Sequence, residues 1–468
     1  MKENATPMTM RDTEYKKLVE PYKDEAFKAY KELVAIDSVN DPSTVTKEKP
    51  FGEGVDKALA YVASLGKTLG FEVDRCDGYA TELTYGKGEK TLDIYAHCDV
   101  VPVSRQDWKH EPFAITQEGN VLYGRGTSDD KGPGLACLFA IKALLDKGRL
   151  DGIRTRVIFG GDEERGSACL EHYFHDLKKG YPTYGFSPDA DYPLIYGEKS
   201  IYAYEAVYNI ELDVEPFAWG DALNIVIDKA SCVLKSRIEE ANILAKRFAE
   251  RNKDIQLSIE GNVVKVIGIP YHGSMPWNGK NAALYLLKFL GYLYDEKGAR
   301  DVFDQYISGK GEAFRGDYKD NDFDCTSYNV GKVVYDGSQL KLYVNLRFPA
   351  TILKDDVIEN VAVNTGAGIT CLGGSDGFVM DKDSSFVKTL LSAYQEETGD
   401  KESQPMAIGG GTYARESRNS VAFGAQFPGR DYRMHGNDEF FPLSDFYDNM
   451  QIYAHAVDSL VKMMKEEK

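Results

Sequence analysis

The chain has 468 residues, of which 43% are hydrophobic and 28% charged, an ordinary balance for a soluble globular protein with enough chain to bury a large core. Its formal net charge of −18 argues against nucleic-acid or anionic-membrane partners, which demand clustered Lys and Arg. No window approaches the run of about 18 apolar residues of a membrane span, and MKENATPMTMRDTEYKK has no apolar signal-peptide core, so a cytoplasmic protein is expected.

At roughly 150 residues per domain, two or three domains are expected. The first part alternates helix and strand patterns. DEAFKAYKELVAI spaces Phe27, Tyr30, Leu33 and Val34 as a helix does, and FGEGVDKALAYVASLGKTLGF is a second helix. The strand FEVDRCDG follows, then the short apolar strand TLDIYAHCDVVP, stopped by Pro102. GPGLACLFAIKALLDKG is a strongly apolar helix and IRTRVIFGGDEE another strand. Strands separated by helices predict an α/β unit with a largely buried sheet. After about residue 195, strand patterns dominate (SIYAYEAVYNIELDV, SIEGNVVKVIGI, QLKLYVNLRFP), with helices such as NAALYLLKFLGYLYDEKG between them. From about residue 380 the α/β pattern resumes, through SSFVKTLLSAYQEETG, a glycine-rich loop, SVAFGAQFPG and a final amphipathic helix. The expectation is one discontinuous α/β domain, 1–195 plus 380–468, interrupted by an inserted α+β domain, 196–379.

Ionisable residues collect just past the ends of the predicted strands, where open α/β sheets bind ligands. In YAHCDVVP, His97 and Asp99 are two apart and share a face of an extended segment, so Asp99 could orient His97 as the outer carboxylate of a metal-bound histidine does. Glycines and a proline frame Asp129, Asp130 and Lys131 in YGRGTSDDKGPG. GGDEERGS sets Glu163 beside Glu164 at a strand end, and the motif alone does not say which does what; Gly160 and Gly161 could permit a bend there. Asp189 and Asp191 follow a short strand, and His435 comes late, in DYRMHGNDEF. Imidazole and carboxylate without thiolate suit zinc, with manganese or cobalt as substitutes, and the number of acids fits a two-metal hydrolytic site better than a closed structural one. SLGKT lacks the upstream glycine of a P-loop, no G-x-S-x-G elbow occurs, and the odd set of seven cysteines reads as free thiols in a reducing compartment. His172 and His175 read as ordinary helix residues, and His110 and His455 have no evident partners.

HCDVVP, GRGTSDDKGP, GGDEERGS, SPDADYP, YHGSMPWNGKNA, VNLRFP, GGGTYAR and MHGNDE follow one another in an order that resembles the dinuclear-zinc exopeptidase family of glutamate carboxypeptidase and carnosinase. The likeness spans nearly the whole chain and is closest to the bacterial Xaa-His dipeptidase branch of PepV type. It implies a catalytic domain with a mixed, mainly parallel sheet flanked by helices, and a lid made by the insert. It also implies His97, Asp129 and Asp189 on one zinc, Asp129, Glu164 and His435 on the other, a cis peptide bond after Asp129, Asp99 orienting His97, and Glu163 as general base. His272 would stabilise the oxyanion, Asn224 and Arg347 would contact substrate, and Gly410, Gly411 and Thr412 would line the pocket. Ile227 stands where many relatives carry proline, a departure close to Asn224. The implied activity is hydrolysis of unblocked dipeptides by a monomer, with small peptides as its only partners. The alternatives are an amidohydrolase removing an acyl group from an N-acyl amino acid and, in another class, a metal-free binding protein on the same scaffold.

Overall fold

In this computed structural model, residues 9–467 are described. The chain divides into two compact units: Met1–Tyr196 with Met380–Met406 and Thr412–Lys468, and Gly197–Val379 with Ala407–Gly411.

The first unit is built on a twisted mixed sheet. Its strands are β1 (Glu72–Asp74), β2 (Ala80–Tyr85), β3 (Thr91–His97), β4 (Arg154–Gly160), β5 (Tyr184–Ser187) and β6 (Ser420–Ala422), in the order β1-β2-β4-β3-β5-β6. The β1–β2 and β2–β4 pairs are antiparallel, whereas β4–β3, β3–β5 and β5–β6 are parallel. Parallel strands need crossovers and are covered on both faces, which is why β3 and β4 read as short continuous apolar runs rather than alternating ones. The helix Lys131–Leu145 packs on β3 and against the C-terminal helix Leu443–Glu466; it is buried almost all round, in keeping with its unbroken apolar sequence. Parallel alignment puts the C-terminal ends of β3, β4 and β5 on one edge of the sheet, and the loops that follow them carry His97–Asp99, Asp162–Glu164 and Asp189.

In the second unit, a five-stranded antiparallel sheet runs in the order Phe217–Trp219, Ser327–Tyr335, Gln339–Phe348, Ser200–Asn209, Gly368–Ser375. A three-stranded sheet of Lys229–Val233, Val263–Ile267 and Gln256–Glu260 lies beside the helix Ala282–Leu293, and one apolar core joins them. The apolar run read as a single helix breaks at Asp295, whose φ of 55° is left-handed; Glu296 then caps a second helix, Lys297–Tyr306, by accepting from the Gly298 amide. Residues 407–411 group with this unit, although the pattern around them reads as part of the resumed α/β segment.

Candidate active site

Seven of the predicted site residues meet on the C-terminal edge of the first unit's sheet. His97 closes β3 and is fully buried; its backbone amide donates to the Asp130 carboxylate at 3.2 Å, and its Nδ1 lies 2.9 Å from the backbone oxygen of Asp99. That bond fixes the ring so that Nε2 faces Asp129 Oδ1 at 2.9 Å and Asp189 Oδ2 at 3.5 Å. The second oxygen of Asp129 faces another imidazole: Oδ2 is 2.8 Å from His435 Nε2, which is also 3.2 Å from Glu164 Oε2. Asp129 therefore presents one oxygen to each histidine, and each histidine has a further carboxylate at hand.

The adjacent glutamates are held by Asp99. Its two carboxylate oxygens accept the Glu163 and Glu164 amides, each at 3.1 Å. The role read for Asp99 from its spacing is thus divided. Its backbone carbonyl takes the His97 ring, its carboxylate stands 3.5 Å from the same nitrogen, and that carboxylate shapes the turn carrying the glutamate pair. The Asp129–Asp130 peptide bond is cis. Gly160 and Gly161 serve space rather than a bend, since neither has a left-handed φ. A Cβ on Gly160 would lie 2.1 Å from the Tyr413 hydroxyl, and one on Gly161 would lie 2.8 Å from Val55.

The acids crowd one another. Burial would raise the Asp129 carboxyl, but His435 and His97 hold it well below the usual range. The same contacts outweigh burial at His435 and push it up to about 11, and they raise His97 as well. Burial first, then the charge of Asp129, pushes Glu164 up to about 7, and burial with neighbouring charges raises Glu163, Asp130 and Asp189.

The second unit gathers the predicted lid residues. The Gly273 amide donates to the Asn224 carbonyl at 2.6 Å, and Ile225 bridges His272. His272 Nδ1 is 2.7 Å from the Ser274 hydroxyl, and a Cβ built on Gly409 would lie 3.5 Å from that of Ser274. Arg347 donates to Asn345 Oδ1 at 3.0 Å and to the Gly409 carbonyl at 2.6 Å, beside Gly410 and Gly411. Thr412 falls in the first unit, where its hydroxyl accepts the Ala414 amide at 3.1 Å.

The profile of Peptidase family M20/M25/M40 matches residues 94–459. The chain belongs to that family. It is 34% identical over 472 residues to "Putative dipeptidase" of Staphylococcus epidermidis, with 95% of this chain and 99% of that protein covered. It is 33% identical over 462 residues to "Putative dipeptidase YtjP" of Bacillus subtilis, covering 94% and 98%. Among solved structures, the M20 family metallo-carboxypeptidase Sso-CP2 from Sulfolobus solfataricus superposes with a TM-score of 0.58 at 19% identity, covering 94% of this chain and all of that one. This M20 chain is a metallopeptidase, with the two-part fold of that family.

The M20 site suits a cation on its own chemistry. Asp189 Oδ1 and Asp130 Oδ1 are buried and have no hydrogen-bond partner among the described residues, a costly state for a carboxylate without a counter-charge. Ligand atoms within 4.8 Å of one another occur in two groups, His97–Asp129–Glu164 and His97–Glu163–Asp189. Oxygen and imidazole donors of this kind suit zinc, manganese or cobalt.

Several participants escaped the sequence reading. Asp130, read only as the second of two acids, accepts the His97 amide. Arg125 and Glu439 form a fully buried ion pair under the site. His110 and His455 do have partners: His110 lies 3.0 Å from Asp438, and His455 lies 2.7 Å from buried Glu397. His172 pairs with Asp176 and Asp77, outside the site. Of the seven free cysteines five are buried, whereas Cys371 is exposed and Cys325 partly so.

Proposed function

We propose that the chain is a dipeptidase that hydrolyses the peptide bond of unblocked dipeptides, Xaa-His and carnosine-like ones among them. The observation that carries this reading is the Asp129 carboxylate, which offers one oxygen to each of two histidines, each beside a further acid. In this reading His97, Asp129 and Asp189 hold one divalent cation, and Asp129, Glu164 and His435 hold a second, zinc by preference. Cations so held polarise a carbonyl and bring the pKa of water down towards about 7.

The remaining work falls to the chain's own groups. Glu163 is the general base: it takes a proton from the attacking water and passes it to the leaving amine. Burial raises its carboxyl, which suits a group that must both accept and release a proton near neutral pH. Asp99 keeps Glu163 and Glu164 in place through their amides. His272 donates to the oxyanion, and Asn224, Arg347 and the Gly410–Gly411–Thr412 segment contact the substrate. The clustering of Asn224, His272 and the Arg347–Gly409 bond within one unit supports grouping most of them. Seven free cysteines support a reducing compartment, the cytoplasm, and the long insert, which would let one chain supply its own lid histidine, supports a monomer acting on small peptides.

The test is a dipeptide panel assayed with zinc, manganese and cobalt, each dipeptide with and without an N-acyl cap. Hydrolysis that requires the free amine supports the dipeptidase; equal or faster cleavage of the capped form would make the chain a deacylase.

A further inference from the structure

The two histidines of the site are held in different ways. His97 is fully buried on a strand and gripped by its neighbours. The His435 side chain is 54% exposed. It stands on a loop where Arg433, His435 and Asp438 all have left-handed φ, at 55°, 59° and 53°. Such backbone persists only where its surroundings over-determine it. Packing around an exposed ring does not supply that constraint, so hydrogen bonds to the backbone have to.

Besides the turn bond from the Gly436 amide to the Arg433 carbonyl, those bonds come from Arg125, which Glu439 holds; the two are 2% and 0% exposed. Glu439 Oε1 accepts the Ser128 amide and the Ser128 hydroxyl, both at 2.9 Å. Its Oε2 accepts the Gly126 amide at 3.2 Å and Arg125 Nη1 at 2.5 Å. Every acceptor position of the carboxylate is thereby used, and the loop that ends in Asp129 is fastened to it. Arg125 Nη2 then donates to the His435 carbonyl at 3.3 Å and to the Gly436 carbonyl at 3.2 Å. One ion pair thus ties the backbone next to Asp129 to the backbone of His435. A buried ion pair contributes little net stability for the desolvation it costs, so its value lies in fixing a geometry.

We infer that the Arg125–Glu439 pair is a positioning device that sets the gap between Asp129 and His435, and with it, above all, the cation affinity of the His435 half of the site. The inference rests on the two-cation reading above. The His97 half feels the pair only through the shared Asp129, because His97 itself is held by its own strand and neighbours, whereas the pair stands behind both Asp129 and His435 in the other half.

The test uses the full-length protein carrying Glu439→Gln and, separately, Arg125→Lys, which keeps the charge but loses the fork that reaches His435. Bound zinc is counted after dialysis against a graded chelator, and competition titrations give the two affinities. The metal-free proteins are melted in parallel. Wild type should hold two equivalents. Arg125→Lys, which leaves the Glu439 bonds to the Asp129 loop in place, should keep one equivalent near wild-type affinity and bind the other about 10–100-fold more weakly, the range for groups that orient ligands from outside; Glu439→Gln, which also loosens that loop, should weaken both, the second more than the first. The fold-change should persist in Arg125→Lys even if Glu439→Gln is too unstable to purify. In Arg125→Lys, two equivalents at unchanged affinity, or equal weakening of both, overturns the inference while leaving the two-cation reading intact. A wild-type chain that holds no divalent cation overturns both.

Discussion

Replacing each member of the glutamate pair by its amide separates two roles that adjacency hides. Glu163 and Glu164 leave β4 side by side, their amides pinned to one carboxylate, and both come within ligand distance of His97. Glu163→Gln keeps shape and volume but removes the proton acceptor. The expected loss in kcat is about 10²–10⁴-fold, or about 3–5 kcal/mol of transition-state stabilisation. The metal-free variant should melt no lower than wild type, because the ionised Glu163 is disfavoured by burial and by the charges of Asp189 and Glu164. Glu164→Gln removes the negative charge 3.2 Å from His435 Nε2 and replaces one of the two ligand oxygens by an NH2 that cannot bind a cation. It should weaken one cation by more than the about 100-fold expected of an outer partner. The assay is steady-state kinetics on an uncapped dipeptide, with metal content after chelator dialysis and a thermal melt. If Glu163→Gln kept more than about a tenth of wild-type kcat, or shed metal as readily as Glu164→Gln, the division of labour would be wrong.

Two further outcomes follow from packing and burial. Gly160→Ala puts a methyl 2.1 Å from the Tyr413 hydroxyl and 2.9 Å from Cys169 Sγ, a cost of about 1–3 kcal/mol, and should lower the melting temperature by about 2–5 °C with partial recovery in the Gly160→Ala/Tyr413→Phe double variant. Asp448 is pushed up to about 7 by burial and then by the charge of Asp445, so the folded chain binds its proton more tightly than the unfolded chain, and stability is lost as pH rises from about 4 through 7. Asp448→Asn should therefore stabilise the protein at pH 8 by about 1–2 kcal/mol, below the about 4 kcal/mol ceiling because water still reaches the group, and should do nothing at pH 4; equal melting shifts at both pH values would rule the assignment out.

What was legible in the sequence is what local patterns encode. The apolar runs of β3 and β4 are short and bounded, so the strands could be placed, and the sheet brings their C-terminal ends to one edge. Once that edge is known, His97, the glutamate pair and Asp189 fall on it together, because each lies within a few residues of a strand end. Local pattern carries no signal for pairs made across hundreds of residues. Arg125 and Glu439, 314 positions apart, look like two of the chain's many surface charges, as does Glu397, the partner of His455. Hydropathy assigns every such residue to solvent, and only the fold shows which have been drawn inside. Asp99 fails differently: its spacing rightly tied it to His97, but a two-residue spacing cannot tell a carboxylate contact from a carbonyl one, nor foresee that the carboxylate is committed to two amides 64 and 65 residues away. The unread residues at the site, Asp130, Arg125 and Glu439, share a property: each bonds to the backbone at or beside a proposed ligand rather than serving as one. A motif lists the groups that meet the substrate. The groups that hold those in register are free to come from anywhere in the chain, provided that they are buried and fully bonded, and Glu439, with four donors on one carboxylate, meets that condition.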